Sequence, residues 1–214
     1  PEPDTEDTTF YKGMDLSYQP FLQPYQVEYK DPSGKTVDDL LKFLKDNGVN
    51  LIRVRLFHSP DPTDAVLNAS NLEKVVLYCN QIALSGNNIL LDIHYSDTWA
   101  DPGKQFLPKA WERKTHQQLV DSVFDYTRYT MLAFRKDSAF PDMVQIGNEI
   151  SNGMLWPDGK LPENWDNLAG LIQAGINGVH AACGNQPCPR IMIHIDKGGD
   201  WNFTKYFFDK INTY

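Results

Sequence analysis

The sequence predicts an α/β protein with about five β-α units of a (β/α)8 TIM barrel, on three observations. Short β-rich runs alternate with longer segments of helical spacing about five times over, at a spacing of roughly forty to fifty residues. No glycine-rich GxGxxG turn follows the first run and no GxxxxGK[ST] loop occurs anywhere, which weighs against an open nucleotide-binding sheet. Polar and aromatic residues gather just past the C-terminal ends of the runs, the rim on which barrel chemistry sits.

Taken in order, residues 1–10 open with the acidic, polar "PEPDTEDTT" and form an expected tail, and 11–214 are expected as the N-terminal part of one catalytic barrel. "YKGMDLS" at 11–17 is the first strand. A helix is expected from Thr36, capping with Asp39 three residues on, to Gly48, with Val37, Leu40, Leu41 and Leu44 as its apolar stripe. "NLIRVRLF" at 50–57 follows, then a helix from about Asn71 to Gly86 with Leu72, Val75, Val76, Cys79, Ile82 and Ala83 inward. "NILLDIHY" at 88–95, a helix over 115–136, "MVQIG" at 143–147, a helix over 166–182, "RIMIHID" at 190–196 and a last helix from near Asn202 complete the series. No linker, low-complexity tract or composition break divides it.

With 214 residues, 41% of them hydrophobic and 22% charged, the chain has the composition of an ordinary globular domain. The formal charge is −8 and no stretch clusters Lys and Arg, so nucleic acid and membrane surfaces are poor partners. No apolar run approaches the length of a membrane span, and a monomer is expected. Two sequons, Asn68-Ala69-Ser70 and Asn202-Phe203-Thr204, make Asn68 and Asn202 glycosylation candidates and lean toward a secreted protein. Cys183 and Cys188 bracket the short loop "CGNQPC" and are placed for a local disulfide, whereas Cys79 falls on a helix stripe and is expected as a buried thiol. With no CxxC, H-x-H or H-E-x-x-H pattern, no metal or cofactor is expected within the chain.

The strand ends carry the chemistry. Side chains alternate along a strand, so Arg53 and Arg55 share one face, as do Asp92 and His94. Two guanidinium groups on one buried face need anions or hydrogen bonds to meet them. They are either a structural ion-pair cluster or a device in which Arg53 holds a catalytic carboxylate ionised. "DIHYSDTWADPGKQ" packs His94, Asp97 and Trp99 into one loop, and Trp99, Trp156 and Trp201 fall in strand-to-helix connections. Indoles beside polar groups suit sugar rings, whose C–H face packs on an aromatic plane while hydroxyls bond at the edge. In "MVQIGNEISNG", Asn148 and Glu149 end a strand. Glycosidic cleavage needs such a rigidly held carboxylic acid to protonate the leaving oxygen and a second carboxylate across the bond, and an amide beside it can bond the sugar's 2-hydroxyl.

The segments "GVNLIRVRLF", "LLDIHYSDTWADPGKQ", "MVQIGNEISNGMLWPDG" and "RIMIHIDKGGDWNF" together resemble glycoside hydrolase family 53, the arabinogalactan endo-β-1,4-galactanases, from about Tyr11 onward. The resemblance implies a retaining, endo-acting enzyme on a (β/α)8 barrel whose partner is a polysaccharide, the galactan side chains of pectin. It implies Glu149 as acid/base, Asn148 as its sugar-binding neighbour, Arg53 as support for the nucleophile and His94 near the cleaved bond. It also implies that Asp15, Trp99, His194, Asp196 and Trp201 line the groove, with Asp97 a supporting candidate. The family's nucleophile, a Glu on strand 7, and the calcium site of some bacterial members belong to a later segment, so residues 1–214 alone are expected neither to close a barrel nor to cleave galactan. The alternatives are a related barrel glycosidase acting on mannan or glucan, and a non-catalytic carbohydrate-binding barrel.

Overall fold

The computed structural model describes residues 10–214; apart from Phe10, the expected tail lies outside the described residues. Five strands pair in parallel: β1 (Gly13–Asp15), β2 (Leu51–Leu56), β3 (Asn88–Ile93), β4 (Met143–Ile146) and β5 (Arg190–Met192). They lie side by side in sequence order. A doubly wound sheet reverses its order at a switch point; this one does not, which is the arrangement of a barrel wall.

Helices α1 (Leu40–Asp46), α2 (Leu72–Leu84), α3 (His116–Lys136), α4 (Trp165–Cys183) and α5 (Trp201–Ile211) follow the five strands in turn. The two faces of the sheet differ in kind. Ile52, Val54, Leu56, Ile89, Leu91, Ile93, Val144 and Ile146 point to one side and join the helices in a single large core. The alternate residues Leu51, Leu90 and Met143 make a small separate cluster with Tyr11 and Met192. Above that apolar floor, the same inner face carries Arg53, Arg55, Asp92 and Gln145, and the register sets Arg55, Asp92 and Gln145 in one row across β2, β3 and β4. Helices on one face and a second face of inward-pointing layers fit a barrel wall.

Sequence-encoded caps start the helices. Asn71 Oδ1 accepts from the Lys74 N–H at 2.9 Å, and Asp200 Oδ1 accepts from the Phe203 N–H at 3.0 Å. Thr115 and Gln118 form a reciprocal capping box at the head of α3. On α4, a Cβ at Gly178 would lie 2.7 Å from the Phe124 carbonyl oxygen, so this glycine sets how closely α3 and α4 approach.

The first helix departs from expectation. It starts at Leu40, and its cap is Asp39, whose Oδ1 accepts from the Lys42 N–H at 2.9 Å. Thr36 and Val37 are instead extended and pair antiparallel with Tyr29 and Lys30. The intervening turn explains this: Asp31 Oδ1 accepts from the Ser33 and Lys35 N–H groups, and Gly34 has φ +87°. Thr36 Oγ1 is then free to donate to Glu28 at 2.7 Å. The hydroxyl expected to cap a helix closes a hairpin.

Cys183 and Cys188 are joined by a disulfide, with Cα atoms 5.3 Å apart, across the connection from α4 to β5. Cys79 is free and buried, and burial pushes its thiol well above the ordinary range. Of the two sequons, Asn202 is exposed on the first turn of α5. Asn68 is half-buried, its Oδ1 accepting from Asn71 at 2.7 Å and its Nδ2 donating to the Pro62 carbonyl at 3.3 Å, and Ser70 of that sequon is fully buried.

Candidate active site

Arg53 is the hub of the inner face. Its Nη1 donates to Asp15 Oδ2, its Nη2 to Asp92 Oδ2 at 2.6 Å and to Asn148 Oδ1 at 2.8 Å, and its Nε to Gln145 Oε1 at 3.3 Å. Burial opposes its charge, but Asp92, Asp15 and Glu149 outweigh that cost and raise its pKa. Asp15 is the mirror case: burial would raise its carboxyl, yet bonds from Ser17 and Arg53 hold it below the usual range. Asp92 is fully buried, and its other oxygen accepts from Gln145 Nε2 at 2.6 Å.

His94 is fixed at both nitrogens. Its Nδ1 accepts from the Ala100 N–H at 3.1 Å, so the proton sits on Nε2, which donates to Asp92 Oδ2 at 2.9 Å. The ring therefore offers substrate no free nitrogen. It braces the loop after β3 against the Arg53 cluster.

The Asn148 amide is oriented by Arg53 on its oxygen and by the Ala100 carbonyl, which accepts from Nδ2 at 2.9 Å. His194 Nδ1 lies 2.9 Å from the same Asn148 oxygen and 3.3 Å from the Glu149 backbone nitrogen, so it fixes the ring against both residues. One N–H of Asn148 is left to meet a ligand. Burial, then the charge of Arg53, lowers the His194 pKa below the ordinary value of 6.5, which keeps the ring uncharged near neutral pH.

The sign of that shift gives an expected outcome. Because folded His194 resists protonation, the unfolded chain takes up a proton first as pH falls below about 6.5. Stability contributed by His194 is thus present above that pH and lost as pH falls through its folded value. His194→Gln is expected to flatten the pH dependence of unfolding in that window. Urea midpoints for both proteins between pH 7.5 and 4.5 check it, and parallel curves would refute it.

Glu149 follows Asn148 in a left-handed backbone conformation, φ 49° and ψ 49°, two residues after Gly147 at φ 77°. This turn lifts its side chain off the strand line, half-buried; among the described residues none donates a hydrogen bond to its carboxylate. Gln105 Nε2 pins the backbone below, bonding the Asn148 carbonyl at 2.8 Å and that of Glu149 at 3.4 Å. The result is a carboxyl group rigidly placed and open to a ligand.

A cleft of about 460 Å³ joins these groups, lined by Asp15, Arg53, His94, Trp99, Asn148, Glu149 and His194, together with Tyr18, Arg55, Ala100, Asp101 and Lys104. A larger groove of about 550 Å³ lies between α4 and α5, but its walls include Ile172, Ile176, Phe208 and Ile211 and it lacks a convergent polar set. The convergent polar groups lie in the smaller cleft.

Three expected site residues lie outside it. Asp97 accepts from the Ser59 N–H at 3.0 Å and the Lys109 N–H at 2.8 Å, tying two loops together. Asp196 is occupied by Ser151 and Lys197. Trp201 is 73% exposed at the start of α5. Conversely, Gln145 and Gln105 were not singled out by the sequence reading. Gln145 had a signal, a polar residue inside the otherwise apolar "MVQI"; Gln105 had none.

Among the described residues, no cluster of His, Cys, Asp or Glu is placed to hold a metal, and no helix is long and apolar enough to cross a membrane.

A sequence model of glycosyl hydrolase family 53 matches residues 11–214. The chain is 36% identical over 201 residues to a probable arabinogalactan endo-β-1,4-galactanase A of Aspergillus fumigatus, covering 94% of this chain and 54% of that protein. It is 39% identical over 199 residues to the protein of the same description from Aspergillus oryzae, covering 93% and 54%. In structure it is similar to a GH53 catalytic domain from Ignisphaera aggregans, with TM-score 0.86 and 37% identity over 95% of this chain and 56% of that one. A fungal β-1,4-galactanase gives TM-score 0.85 and 33% identity over 94% and 58%. The chain spans about half the length of the curated relatives it matches.

Proposed function

The chain belongs to glycosyl hydrolase family 53, and on that premise we propose that its protein is a retaining endo-β-1,4-galactanase in which Glu149 is the general acid/base. The observation that carries this reading is the open, rigidly held Glu149 carboxyl beside the oriented Asn148 amide in the cleft. Glu149 protonates the departing glycosidic oxygen and then takes a proton from the attacking water. The free Asn148 N–H meets the sugar's 2-hydroxyl, a contact that tightens in the transition state. Arg53 helps to keep Asp15 ionised and holds the Asn148 amide in place.

A retaining reaction needs a nucleophile about 5–5.5 Å from the acid on the other side of the sugar. Asp15 lines the cleft, but Arg53 and Ser17 already engage it. The reading assigns the nucleophile to a Glu supplied by chain outside residues 1–214, in keeping with relatives about twice as long. The polysaccharide partner follows from the family, and the galactan preference from the names of the relatives. Secretion is supported by the Cys183–Cys188 disulfide and the exposed Asn202 sequon. A monomer is part of the same reading.

The test incubates the protein, expressed at the length its gene encodes, with potato galactan, mannan and cellulose. Reducing-end release is expected from galactan. Release from mannan or cellulose alone would overturn the substrate, and binding of galactan without any release would favour a non-catalytic carbohydrate-binding barrel.

A further inference from the structure

Arg55 is a buried cation that makes no ion pair among the described residues, although the charges of Asp15 and Asp92 reach it. It is 4% exposed, yet no carboxylate lies within ion-pair distance of it among the described residues. Its Nη2 donates to Ser70 Oγ at 3.2 Å, its backbone N–H donates to Ser17 Oγ at 2.9 Å, and its Nε is buried with no partner. A guanidinium does not shed its proton inside a protein, so a buried one must be met by other means. Aromatic faces do it here. The guanidinium carbon lies 3.8 Å from the centre of the Trp99 ring, 5.0 Å from that of Phe57 and 5.3 Å from that of Tyr18.

The Trp99 side of the contact is as informative. Its other ring neighbours are farther away, with centroids at 5.7 Å for Phe57, 6.2 Å for Tyr18 and 6.3 Å for His94. The Phe57 and His94 contacts are edge-on, and Trp99 Nε1 has no hydrogen-bond partner among the described residues. Among the described residues the Arg55 guanidinium lies closest over the indole, and both residues line the cleft with Glu149.

We propose that Arg55 is a positioning residue that holds the Trp99 indole in place as the wall against which a pyranose ring stacks. This rests on the carbohydrate reading above. A sugar gains from an aromatic face only when that face is fixed before binding, since ordering it on contact uses up much of the gain. The flat guanidinium supplies the fixing surface. A lysine keeps the charge but not the plane.

The test has two readouts, both on the protein at the length its gene encodes. Without substrate, subtracting the fluorescence and near-ultraviolet circular dichroism of Trp99→Phe isolates the signal of this indole. Arg55→Lys is expected to shift its emission to the red and weaken its dichroism. On galactan, Arg55→Lys is expected to raise KM about tenfold while kcat stays within about threefold. In a Trp99→Ala background, the same change is expected to alter KM less than about twofold. Arg55→Met, which fills the volume without charge, serves if the lysine variant does not fold. Unchanged spectra and KM in Arg55→Lys, or an undiminished KM effect in the Trp99→Ala background, would overturn the proposal. A wild-type protein that binds and cleaves no galactan overturns the functional reading instead, and the spectral comparison then decides separately whether Arg55 holds the indole.

Discussion

Glu149→Gln is expected to lower kcat/KM on galactan by about a thousandfold, within the range that a positioned general acid supplies. The substitution keeps the size and shape of the side chain and removes its transferable proton. Galactan has a poor leaving group and needs that proton. An aryl β-galactoside with an acidic phenol departs unaided, so the first step on it is expected to lose far less. Because no described residue donates to the carboxylate, no hydrogen bond of the Arg53 cluster is lost, only the weakest of the charges that favour Arg53, and the melting temperature is expected to stay within about 2 °C. Steady-state kinetics on both substrates, with thermal unfolding alongside, make the comparison. Wild-type activity of Glu149→Gln on galactan would remove Glu149 from the role.

The largest effect on stability is expected at Asp92. It is fully buried, and three groups converge on its carboxylate: Arg53, His94 and Gln145. Asp92→Ala leaves His94 Nε2 without an acceptor, takes one acceptor from Arg53 Nη2 and from Gln145 Nε2, which keep Asn148 Oδ1 and the Gly147 carbonyl, and strips Arg53 of its innermost counter-ion. Breaking a buried pair in this way costs about 3–5 kcal/mol, since the surviving partner stays buried and uncompensated. Asp92→Asn keeps an oxygen for one donor and is expected to fall between the variant and the wild type. Denaturant titrations measure both. A loss below about 1 kcal/mol for Asp92→Ala would mean that Asp15 alone balances Arg53.

The sequence carried the wall of the fold and only part of the site. Strand and helix order was legible because apolar residues at strand spacing and helix spacing are read directly from the chain. The hairpin of Thr36 was not, because a threonine followed by an acid three residues on satisfies a helix start as well as a strand end. What decided it was the Asp31 turn, a competing local bond. The pairing of Asn148 with Glu149 was visible as a polar step at a strand end. The use of His94 as a brace was not, since the acceptor role of its Nδ1 depends on the Ala100 N–H, six residues on and set by the loop's path. The same holds for Asp97, whose backbone partners at Ser59 and Lys109 come together only in the folded chain. Side chains that bond backbone across loops leave little pattern in a sequence, whereas those that alternate along a strand do.

The left-handed backbone of Glu149 has a consequence for engineering. A residue with a Cβ held there costs about 1–2 kcal/mol that glycine would not. The position that carries the proposed chemistry is therefore one at which the fold would gain by losing it. A library screened for heat resistance alone would enrich glycine at 149 and drift toward durable, inert proteins. Thermostable variants of this chain have to be selected on turnover, with stabilising changes sought on the outer helices where the cleft is not at stake.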